Sequence, residues 1–67
     1  MPAKNYAGLI IVILEKYGGS APQTLIVKEA RIPQPALSKV LKALAEKGLV
    51  ARERLGRVKV VRLLSGP

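Results

Sequence analysis

The residues able to do covalent chemistry in this 67-residue chain are few: Glu15, Glu29, Glu46 and Glu53 are its only carboxylates, and it has no cysteine, histidine or aspartate. Thiol nucleophiles, imidazole acid–base catalysis and zinc ligation all require residues that are missing. The chain therefore reads as a non-enzyme, with no cofactor, no metal site and no evident small-molecule pocket. What it has in quantity is positive charge, twelve Lys and Arg for a net +8. The charge is lopsided. Residues 1–30 carry +1 and residues 31–67 carry +7. A field concentrated in one half of a small domain is the footprint of a polyanionic partner. Tyr6 and Tyr17 are the only aromatics, too few to stack successive single-stranded bases, so double-stranded DNA is the partner the composition favours.

The basic half must be held by a fold built from very little. A chain of this length is one domain, residues 1–67, and buries only roughly 60% of the surface its unfolded form exposes. Disulfide and metal staples are closed to it, which leaves oligomerisation as the remaining aid to stability. The longest apolar run, Leu9 to Leu14, is six residues, far below the roughly 20 of a membrane span, and no signal peptide is visible. A cytoplasmic protein without membrane contact is expected.

The most regular stretch is Ile32 to Val50. At about 100° per residue, Leu37, Val40, Leu41 and Leu44 share one arc, and Ser38, Lys39, Lys42 and Glu46 gather opposite. Pro33 and Pro35 sit where a first helical turn tolerates a missing amide, and Gly48 closes the helix. The following ARERLGRVKVVRLL alternates and turns at Leu55-Gly56 as a basic hairpin does, with strands over Val50 to Arg54 and Val58 to Leu63. Val58, Val60 and Leu63 are expected on its inner face, against Lys59 and Arg62.

Upstream, Asn5 is the expected N-cap of a first helix ending at Tyr17, with Tyr6, Leu9, Ile10, Ile13, Leu14 and Tyr17 on its core face. Its β-prone run also fits a strand; the flanking glycines at helix length favour the helix. Ser20-Ala-Pro-Gln23 has capping-box spacing before a second helix, Pro22 to Ala30, whose Leu25, Ile26 and Ala30 point inward. A short strand near Gly19 to Ala21, pairing with the hairpin, is a further element the fold can carry. Arg31-Ile32 makes the turn into the next helix.

Read together, Leu44-Ala45-Glu46-Lys47-Gly48-Leu49-Val50, with Ser38 six residues before it, resembles the end of the recognition helix, the glycine cap and the start of the wing in winged helix-turn-helix DNA-binding domains. The nearest resemblance is to small MarR-like regulators, and it covers nearly the whole chain. Two departures are Arg31, where such families carry a small residue, and Pro33 and Pro35, where they carry serine or threonine. The resemblance implies a mostly α fold, three helices followed by a two-stranded wing, and a transcriptional regulator that occupies duplex DNA.

In that geometry the helix over residues 34–47 enters the major groove, and the 50–63 hairpin lies beside it. Gln34 is the candidate for reading a base edge, since a side-chain amide can pair in bidentate fashion with adenine. Ser38, Lys39 and Lys42 face the duplex from the same helix. The prolines delete amide donors from its start, so side chains must hold the phosphates: Lys28 and Arg31 beside the turn, and Arg52, Arg54, Arg57 and Lys59 on the wing. Ile11 and Val12, left over from the first helix's core face and flanking Gly8, are expected to form a homodimer interface. Two other classes compete. A protein-interaction winged helix shares the fold but seldom concentrates charge here; a membrane-surface helix would need the apolar arc that the core already uses.

Overall fold

The computed structural model describes residues 6–64. Helix α1 (Tyr6–Lys16) is followed by strand β1 (Ser20–Pro22), helix α2 (Gln23–Ala30), helix α3 (Gln34–Glu46), and strands β2 (Val50–Leu55) and β3 (Val58–Leu63). The strands form one antiparallel sheet in the order β1-β3-β2. β1 pairs with β3 through Ala21↔Val61, and β2 through Val50↔Leu63 and Arg52↔Val61. Three helices and a two-stranded wing are thus as the periodicity and the resemblance implied, and the short strand expected near Gly19 to Ala21 is present as β1. Asn5, the expected cap, lies outside the described residues.

The core gathers one stripe from each element: Ile10, Ile13 and Leu14 from α1, Ala21 from β1, Ile26 from α2, Ile32 from the turn, Leu37, Leu41 and Leu44 from α3, and Val50 and Val61 from the sheet. Leu41 has no exposed surface. Truncating such a leucine to alanine costs about 2–5 kcal/mol, a large part of the roughly 3–10 kcal/mol that holds a chain of this size.

Two helix ends show how the sequence shapes the turns. At Gly48 (φ 76) the Gly48 amide donates to the Ala45 carbonyl and the Leu49 amide to the Leu44 carbonyl, both at 3.0 Å, the paired bonds that end a helix through a left-handed residue. Helix α2 ends instead on Arg31, at φ 56. This is where the resemblance noted a small residue, and the left-handed backbone there costs a non-glycine residue about 1 kcal/mol. The turn then runs directly into Ile32, which is buried.

Several expectations need correction. Leu9 and Tyr17 are 41% and 39% exposed. Leu9 sits at the edge of a stripe only wide enough for Ile10, Ile13 and Leu14, and α1 stops at Lys16, so Tyr17 turns away with the chain. Ile11, expected opposite the core, is half-buried, while Val12 is exposed. Leu25, Ala30 and Val40 pack against the core as expected, at its half-buried margin. Ser20 caps nothing: it belongs to β1, and Pro22 stands at the α2 N-cap with no side-chain cap bond. Pairing with β3 claims the backbone that a capping box would have used.

The wing's parity is reversed at Val58 and Val60, while Leu63 packs against the core as expected. Val58 is exposed and Val61 is fully buried. The pairings Val50↔Leu63 and Ala21↔Val61 turn the odd-numbered residues of β3 to the core, and a one-residue shift exchanges the faces of a strand. β2 runs to Leu55, so the turn is Gly56-Arg57. Its glycine, at φ 63 in the first central position, suits a two-residue hairpin.

Outside the core, the Tyr17 hydroxyl donates to Glu29 Oε2, and Lys16 Nζ donates to Glu29 Oε1 at 3.2 Å. This links the end of α1 to α2. Hydrogen bonds from Tyr17 and then Lys16 hold the Glu29 carboxyl below its ordinary value. The bond to Glu29 raises Lys16, and the same partner, followed by burial, raises the Tyr17 hydroxyl.

Candidate nucleic-acid interface

Beyond the edge of the core, the inner face of the wing changes character. The side that carries Val61, Leu63 and Val50 continues toward the turn with Arg52, Arg54 and Lys59, because Arg52 stands opposite Val61 and Arg54 opposite Lys59. These three cations face α3 and the start of α2 across a cleft of about 340 Å³ that Ser38, Gln23, Val60 and one carboxylate residue, Glu53, also line. Farther along the wing, Arg57 and Lys59 form one wall of a second cleft of about 260 Å³, opposite Gln34, Gln23 and Thr24. The sheet register sets the arrangement: alternation that is apolar under the helices becomes basic where the strands outrun them.

The cations in these clefts are not neutralised. Among the described residues the ion pairs are Lys16–Glu29 and Arg62–Glu53. In the second, Glu53 stands opposite Val60 and Arg62 opposite Ala51, so both leave the strands on the opposite side from Arg52 and Arg54; Glu53 borders the first cleft but is paired with Arg62. Charged walls of this kind are poor seats for apolar ligands, which prefer enclosed pockets with few polar groups.

Of the residues singled out from the sequence, the structure brings Ser38, Arg52, Arg54 and Lys59 to the first cleft, and Gln34, Arg57 and Lys59 to the second. Lys39 and Lys42 are exposed on α3 without lining either. Lys28 and Arg31 are not part of the assembly, for they lie at the far end of α2, roughly 10 Å along the helix from its first residue. Gln23 and Thr24 were missed. Gln23's spacing after Ser20 suggested a role in helix capping and Thr24 carried no signal of its own; only the pairing of β1 with β3 delivers them to the cleft. Among the described residues no helix is long and apolar enough to cross a membrane.

The arrangement of α1, a short strand, a helix-turn-helix and a basic hairpin defines a winged-helix domain. A solved structure from work on the DNA recognition and protein interaction domains of HOP2, and their homologous DNA pairing properties, has the same fold, with a TM-score of 0.73 at 20% identity over 90% of this chain and all of that one. The chain belongs to the family DUF7343, described as a domain of unknown function, which matches residues 6–64. No curated protein matches it.

Proposed function

We propose that the protein is a duplex DNA-binding transcriptional regulator of the MarR-like type, acting by occupancy without chemistry or cofactor. Helix α3 lies in the major groove with Gln34 at a base edge and Lys39 and Lys42 toward the backbone, while Arg52, Arg54, Arg57 and Lys59 follow the phosphates from the wing. The observation that carries this reading is the run of unpaired cations on the inner face of the wing beside the exposed face of α3. Phosphate contacts of this kind give register and affinity, and a few side chains on α3 supply sequence preference. The fold shared with a domain of HOP2 supports the same direction. The working form is a homodimer through Gly8, Ile11 and Val12 of α1, acting in the cytoplasm.

The test is fluorescence anisotropy with random-sequence duplex at several salt concentrations, set beside co-sedimentation with anionic vesicles. Salt-dependent duplex binding without vesicle binding is expected. No duplex binding at low salt overturns the proposal and leaves a protein-interaction module as the reading to pursue.

A further inference from the structure

One polar side chain inside the molecule has no structural use. Gln23 is 7% exposed, and its side chain makes no hydrogen bond to any described residue. No wholly buried side-chain nitrogen or oxygen lacks a partner, so the amide head of Gln23 must be the part that reaches the surface. That surface is the floor of both clefts, since Gln23 lines each of them. The amide thus stands at the cleft floor with its donor hydrogens uncommitted within the described protein, open to a ligand oxygen in place of water.

The surroundings specify the oxygen. Gln23 is the first residue of α2, and the helix has no side-chain cap. The amides of its first turn have no acceptor within the helix, and the helix dipole makes that end electropositive. Thr24 adds a hydroxyl. Across the second cleft stand Arg57 and Lys59, and Gln34 opens α3 on the same wall. No carboxylate lines this cleft. Both helices have a proline at the N-cap, Pro22 and Pro33, but α3 offers less because Pro35 in its first turn also carries no amide hydrogen. The anion-binding helix end is therefore that of α2.

We infer that the cleft between the first turns of α2 and α3 and the wing is a seat for one phosphate group of the duplex backbone. The Gln23 amide donates to a phosphoryl oxygen, the α2 amides and Thr24 donate beside it, and Arg57 and Lys59 neutralise the charge. This rests on the duplex-binding reading and adds to it an anchor that fixes the register of α3, whose first residue, Gln34, lines the same cleft.

Gln23→Met keeps nearly the same length and removes the donor. Anisotropy against two duplexes of unrelated sequence, over a range of salt, should show affinity falling about tenfold for both, as for one hydrogen bond to a charged group. The plot of log affinity against log salt should stay parallel to the wild type, since no cation is lost. Thr24→Val, at an exposed position, should give a smaller parallel loss and serves if Gln23→Met fails to fold by circular dichroism. Unchanged affinity overturns the inference, as does a loss confined to one sequence, which would mean a base contact, or tighter binding of an acidic peptide than of duplex. If the wild type binds no duplex, the functional proposal fails separately, and inorganic phosphate followed by amide NMR judges the seat. Saturating shifts at Gln23 and Thr24 then retain it as a phosphoryl site, and their absence overturns it.

Discussion

Arg62 donates from Nη2 to Glu53 Oε2 at 2.7 Å, a diagonal pair on the outer face of the wing. Because side chains alternate along a strand, Glu53 leaves its strand on the opposite side from Arg52 and Arg54, and although it borders the first cleft, its ion-pair partner is Arg62. Both partners are substantially solvated, at 53% and 41%. Glu53→Gln should therefore change stability by no more than about 1 kcal/mol, measured by urea denaturation. It should also tighten duplex binding a few-fold by freeing Arg62 and deleting a negative charge. Weaker binding would show that the carboxylate positions a contact.

Lys39 and Lys42 lie on the exposed face of α3, off the buried stripe of Leu37, Leu41 and Leu44. Replacing both with alanine should weaken binding to every duplex alike and leave the circular dichroism spectrum unchanged. Gln34→Ala should instead alter preference at one base position, by about 1–3 kcal/mol. A double lysine variant that binds as well as the wild type would remove α3 from the interface.

The wing should contribute affinity more than specificity. If a protomer neutralises on the order of five phosphates, log affinity falls against log salt with a slope of about −4 to −5, and Arg54→Ala with Arg57→Ala flattens it by nearly 2. An unaltered slope would mean that the wing does not touch DNA.

The Lys16–Tyr17–Glu29 cluster gives stability a definite pH dependence. Glu29 is lowered from 4.5, so its contribution is present above that value and is lost as pH falls through its lower folded pKa. Lys16 and Tyr17 are raised from 10.5 and 10.0. Their contributions are present below those values and are lost as pH rises through the folded ones. Thermal denaturation from pH 2 to 11 should show a plateau between these limits. Glu29→Gln should flatten the acid limb, and an acid limb unchanged in that variant would assign it to other carboxylates.

Val12 is 60% exposed, and Ile11 retains part of its surface. A homodimer through α1 would bury both on each protomer, with up to roughly 1.5–3 kcal/mol for each side chain fully covered, less for Ile11 because it already packs inward. Sedimentation equilibrium should find a dimer that Val12→Lys converts to a monomer without loss of fold. Its recognition helices would then meet half-sites about 10 base pairs apart or a multiple of that. A monomeric wild type ends this interface.

The local pattern of the chain was enough to determine three helices, the Gly48 closure, a basic hairpin and the concentration of charge after residue 30. Apolar spacing, cap residues and turn glycines act over a few residues and can be read without knowing what packs against them. The sequence also excluded the chemistry of cysteine, histidine and aspartate outright. It could not determine which face of a strand is inward, because in Val58-Lys59-Val60-Val61 apolar residues occupy both parities. The partners Val50 and Ala21, distant in the chain, made that choice and buried Val61. Pairing of Ser20–Pro22 with β3 likewise took away the capping box, and with it moved Gln23 from a supposed cap to the floor of a cationic cleft. Strand register is a long-range property, set by which residues the sheet can bury together, and so the grouping of Gln23, Gln34, Arg57 and Lys59 existed only once the chain had folded.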